Sequence, residues 1–169
     1  VGSDNVYEAS AFFQKSLNTW MEKYEPREYF TQKMSKVAYQ SIPEENQAAF
    51  QKAFDLIETE MEKSIKQNYL DFRPHLFLGE LYTNSYRFSG NREKLERAQD
   101  VLEKAITLSP TNQKGYWMLA EVKLSARKMS EVIPLLQKAS DLEPKVGYSH
   151  WYLAMAYKIA GDYQLALEE

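Results

Sequence analysis

Few residues in this 169-residue chain are equipped for covalent or metal chemistry. Cysteine is absent, which removes thiolate nucleophiles, disulfides and sulfur ligands. The two histidines, His75 and His150, have no second histidine at helical spacing, so an H-E-x-x-H zinc site is not encoded. Gly79, Gly90, Gly115, Gly147 and Gly161 are scattered, and neither G-x-x-x-x-G-K nor G-x-G-x-x-G occurs, so no loop is set up to cradle phosphate. Glu44-Glu45, Glu58 with Glu62, and Glu168-Glu169 suit solvated helix faces, and nothing in their spacing sets two carboxylates across a cleft. The chain is therefore expected to be no enzyme, with no catalytic residue, no metal and no cofactor. Its function should lie in binding.

Composition narrows the partner. Lys and Arg total 21 against 24 Asp and Glu, a net charge of −3 with both signs interspersed, so there is no basic field for a nucleic acid backbone. A hydrophobic content of 44% is enough for a continuous core. No apolar run approaches the roughly 20 residues of a membrane span, and no signal-peptide pattern opens the sequence, so this stretch is not expected to insert into a membrane.

The elements that would position a binding surface are helices. Asn5 with Glu8 offers a capping box, and Val6, Ala9, Phe12, Phe13 and Leu17 recur at helical spacing, predicting a helix over about 5–18. Pro26 introduces a second helix with the stripe Phe30, Met34, Val37 and Ala38. Ser41-x-x-Glu44 is another capping box, opening a long helix to about Asn68 that carries Ala49, Phe50, Ala53, Phe54, Ile57, Met61 and Ile65. Asp71 caps the next, with Pro74 in its first turn.

From there the sequence is periodic. Leu108-Ser109-Pro110-Thr111 and Leu142-Glu143-Pro144-Lys145 close similar helical runs, and Pro110 and Pro144 stand 34 residues apart. His75-x2-Leu78-Gly79-x2-Tyr82, Tyr116-x2-Leu119-Ala120-x2-Lys123 and His150-x2-Leu153-Ala154-x2-Tyr157 resemble the tetratricopeptide pattern W-x2-L-G-x2-Y. The companion helices supply Ala98-x3-Leu102-x2-Ala105 and Val132-x3-Leu136-x2-Ala139. The first of these repeats carries seven extra residues near Arg87–Asn91, predicting a lengthened first helix and a longer turn. Lys123, where the other repeats have Tyr82 and Tyr157, should thin the packing, and Pro134 should lie in or just past the first turn of its helix. The resemblance implies an all-α right-handed superhelix of antiparallel helix pairs, about nine helices in one continuous solenoid. Irregular repeat-like helices would occupy 1–70, and repeats would occupy 71–111, 112–146 and a truncated 147–169. Because the first helix has the character of the second of a pair and the last stops after about two turns, the chain is expected to be a piece of a longer protein.

In tetratricopeptide proteins the first helix of each pair lines a concave groove that holds a protein or peptide. Carried over by repeat position, the lining would be Arg73, Leu76, Glu80, Thr83 and Asn84, then Lys114, Trp117, Glu121 and Leu124, then Tyr148, Trp151, Met155 and Lys158. Glu80 and Glu121 stand where a carboxylate-clamp member of the family would have asparagines, so a clamp is not expected. Trp117, Tyr148 and Trp151 point instead to stacking and apolar contact. The segment from Met61-Glu62-Lys63-Ser64-Ile65 through Asp71–Tyr82 also resembles the soluble repeat tail of some bacterial O-antigen ligase or polymerase-like membrane proteins. That resemblance implies an accessory role in glycan assembly, with the tryptophans stacking on sugars.

Overall fold

The computed structural model describes residues 11, 13, 15, 16, 24–38 and 44–168. The expected first helix and the Ser41 capping box fall largely outside these residues, although 11, 13, 15 and 16 are helical. The remaining elements are α1 (Tyr24–Ala38), α2 (Glu44–Gln67), α3 (Phe72–Ser89), α4 (Arg92–Leu108), α5 (Gln113–Ser125), α6 (Met129–Leu142), α7 (Gly147–Ala160) and α8 (Tyr163–Glu168). Each helix packs on the next in sequence, most extensively within the pairs α3–α4 and α5–α6; α1 also lies against α3, and α3 against α5. This is the arrangement of stacked helix pairs.

Local chemistry sets the boundaries. The Asp71 carboxylate accepts the Arg73 backbone N–H to cap α3, and Asn91 accepts that of Glu93 to cap α4. Gly90 ends α3 at φ 70° and Gly161 ends α7 at φ 91°, left-handed conformations in which glycine carries no Cβ penalty. At the α5–α6 turn Arg127 takes up φ 61° without that exemption. The seven extra residues near Arg87 do not lengthen a turn, as their position suggested. Only Gly90 and Asn91 separate α3 from α4, and the helices absorb the insertion, at 18 and 17 residues against 13 and 14 for α5 and α6. Pro134 lies six residues into α6, deeper than expected, because α6 begins at Met129 with no side-chain cap.

Among the described residues, the apolar positions read from the sequence are largely core. Phe50, Phe54, Ile57 and Met61 of α2, Leu78, Leu81 and Tyr82 of α3, and Leu95, Ala98 and Leu102 of α4 form one buried cluster. Phe13 joins it, with its ring centroid 4.3 Å from that of Phe30. Gly79 lets α3 and α4 close: a Cβ there would lie 2.5 Å from Leu102 Cγ. A smaller cluster forms around Ala120, Val132, Leu136, Leu153, Ala156 and Tyr157.

Polar residues also enter the interior. Arg27 of α1 is buried and donates to Glu60 at 2.9 Å, to Ser64 at 2.9 Å and to Gln67 at 3.0 Å, fastening α1 to α2. Burial alone would raise the Glu60 carboxyl, but hydrogen bonds from Lys63 and Arg27 outweigh it and hold the group below its ordinary value. Glu58 behaves oppositely: burial pushes it up despite its ion pair with Lys94. Lys123 does not thin the packing, because its stem is buried and its ammonium reaches Glu131 at 2.6 Å. Tyr82 and Tyr157 likewise turn their hydroxyls to polar partners, Glu62 and Gln137.

Candidate functional site

The two histidines bond to backbone carbonyls at or just before the start of their own helices. His75 Nδ1 donates to the Asp71 carbonyl at 2.9 Å and His150 Nε2 to that of Pro144 at 2.8 Å, while Tyr116 at the matching position donates to Pro110 O at 2.9 Å. Burial holds His75 below the ordinary imidazole value, which favours a neutral ring with one N–H for this bond. Among the described residues no cluster of three or more His, Asp or Glu could hold a metal ion.

The face formed by α3, α5 and α7 is where the expected groove residues meet. A hollow of about 400 Å³ is lined by Glu80, Lys114, Trp117, Glu121, Trp151 and Met155, together with Leu124, all expected from repeat position. The side chains arrive there because α5 and α7 each present one helical stripe: Lys114, Trp117, Glu121 and Leu124 on the first, Trp151, Met155 and Ile159 on the second. Trp117 is half-buried and packs against the buried cluster around Ala120, Val132 and Leu153, with its ring 6.0 Å from that of Tyr152. Trp151 is 55% exposed and meets Tyr152 edge-on at 5.0 Å. The Trp117 indole N–H is buried with no acceptor among the described residues. Leaving such a donor unsatisfied costs on the order of 1–3 kcal/mol.

Not every expected residue reaches this hollow. Leu76 is buried in the core beside Ile106 and Gly115, because the first repeat turns that position toward the next helix pair. Thr83 and Asn84 are buried as well: the Thr83 hydroxyl donates to Gly79 O at 2.8 Å, and Asn84 Oδ1 accepts from Arg87 at 3.1 Å. Arg73 is exposed but folds back onto Asp71, its own helix cap, at 2.7 Å. Tyr148 borders a separate shallow hollow with Gly147 and Trp151, its ring 6.1 Å from Tyr152, while Lys158 is exposed and lines neither.

Other contributors lie outside the positions carried over from the repeat. Tyr152 sits amid Trp117, Tyr148 and Trp151, and Ile159 extends the α7 stripe one turn beyond Met155. The i+4 step from Met155 makes Ile159 discoverable in the sequence. Arg87 is not, since it reaches the hollow only because α3 is lengthened. Its guanidinium pairs with Glu121, and Lys114 pairs with Glu80 at 3.4 Å, so α3 and α5 are tied across the face by two ion pairs. Among the described residues no ion pair joins α5 to α7.

No family model matches the sequence, and no curated protein matches it either. Solved structures do. A MamA double mutant superposes with a TM-score of 0.65 at 18% identity, covering 96% of this chain and 80% of that one. MamA itself gives 0.62 at 14% identity, over 98% and 84% of the two chains. A thermophilic TPR protein in Thermus thermophilus gives 0.62 at 17% identity, over 99% and 87%. None of these supports the resemblance to an O-antigen ligase tail. At such identities the likeness speaks to architecture, and the architecture is the tetratricopeptide-type helical solenoid.

Proposed function

We propose that this chain is a non-catalytic interaction scaffold that holds a protein segment on the face formed by α3, α5 and α7. The observation that carries this reading is the convergence of Trp117, Trp151, Leu124 and Met155 on one open hollow. Large apolar groups gathered in a concavity, and left partly in water, are what a binding surface offers to a partner.

Selection of a random displayed peptide library on the protein, with counter-selection on Trp151→Glu, tests the proposal. The expected result is a set of peptides that bind the wild type, compete with one another and lose at least tenfold in affinity on the variant. Failure to enrich any peptide that depends on Trp151 would refute it.

A further inference from the structure

Building on the scaffold reading, we infer that the hollow between α5 and α7 is an anchor site for one uncharged, apolar side chain of leucine to tryptophan size, presented by an extended peptide. The face is divided. Between α3 and α5 the charges of Glu80, Lys114, Arg87 and Glu121 neutralise one another, so a charged ligand group would have to break an existing pair to be recognised there. Between α5 and α7 the walls are Leu124, Met155, Ile159 and the rings of Trp117, Trp151 and Tyr152. Charge complementarity thus selects a neutral occupant.

Size selects a side chain. The whole hollow across α3, α5 and α7 is about 400 Å³, so its α5–α7 part has room for one large side chain and not for a larger element. A helix about 10 Å across would not enter. The Trp117 indole N–H is itself buried, so its nitrogen offers a ligand no polar contact in the hollow. A sugar would instead present several hydroxyls, and the four charged side chains nearest them are already engaged with each other.

The test is an NMR titration of the full chain with capped single residues, following the indole N–H resonances of Trp117 and Trp151. N-acetyl-leucinamide and N-acetyl-tryptophanamide should shift both resonances saturably at millimolar concentration, as expected of ligands this small. The charged analogues N-acetyl-aspartate amide and N-acetyl-lysinamide, and methyl glucoside, should not. Met155→Glu should weaken the apolar amides at least tenfold, while Tyr69→Ser, in the exposed turn between α2 and α3, should leave them unchanged. No shift with the apolar amides, equal or tighter binding of the charged amides or the glucoside, or indifference to Met155→Glu would each overturn the inference. Trp151-dependent displayed peptides carrying a charged anchor would overturn it while leaving the scaffold reading intact.

Discussion

Replacing Gly79 with alanine should destabilise the protein even though alanine is the better helix former. The new methyl would sit 2.5 Å from Leu102 Cγ, 2.6 Å from Cδ2 and 3.1 Å from Cδ1. Carbon atoms pack comfortably at about 3.5–4.0 Å, so two contacts are short by roughly 1 Å. Leu102 is fully buried, so the clash is met inside the core and not relieved into solvent. Overpacking of this kind costs about 1–3 kcal/mol, and the alanine propensity gain of about 1 kcal/mol offsets part of it. The net expectation is a loss of about 1 kcal/mol, or a Tm lower by about 2–4 °C. Urea denaturation followed by far-ultraviolet circular dichroism would measure it. Leu102→Ala alone should cost about 2–5 kcal/mol. In the double variant the added methyl occupies part of the space vacated, so the combined loss should fall short of the sum of the single losses. A Gly79→Ala variant as stable as the wild type, or strictly additive losses, would refute the close-approach argument.

Other outcomes follow from the same packing. Trp151→Ala should change stability by less than about 1 kcal/mol because the ring is largely exposed, whereas Trp117→Ala should cost about 2–4 kcal/mol, the two being separable by thermal melts. Lys123→Met should cost less than about 1 kcal/mol, since the stem keeps its packing and Glu131 stays hydrated, but Lys123→Ala should cost about 1–3 kcal/mol; equal losses in denaturant would show the ion pair to matter more than the stem. Glu58 is raised by burial, so between the ordinary value of 4.5 and its raised value the folded state binds more protons than the unfolded state, and its contribution to stability falls as pH rises through that window. Relative to Glu58→Gln, the wild type should therefore lose stability on going from pH 4.5 to 7 in denaturant titrations; an opposite slope would refute the assignment.

The helices from α2 onward were readable because their apolar residues keep helical spacing and their ends carry ordinary signals, Asp71 and Pro74 at one start and Gly161 at one end. The lining of the α3–α5–α7 hollow was readable where the repeat is regular: Lys114, Trp117, Glu121, Trp151 and Met155 were transferable by position and do meet. In the first repeat only Glu80 was transferable in the same way. There the extended α3 brings Arg87 into the face, while Leu76 and Asn84 become core, because packing of neighbouring pairs, not position along one helix, decides exposure. Buried polar residues escaped for a related reason. Arg27 and Lys123 look like surface residues until Glu60, Ser64, Gln67 and Glu131 arrive from other helices.

The two apolar clusters meet at α5, which gives Met118, Leu119 and Val122 to the larger and Ala120 to the smaller. Opening in a solenoid is then unequal along its length, with α7 and α8 exchanging their amide hydrogens ahead of α2 through α4. The hollow has one wall on each side of that divide. A ligand bridging α5 and α7 would slow exchange in the weaker segment and leave the stronger one unchanged, so occupancy would be recorded as local protection rather than as a change of shape.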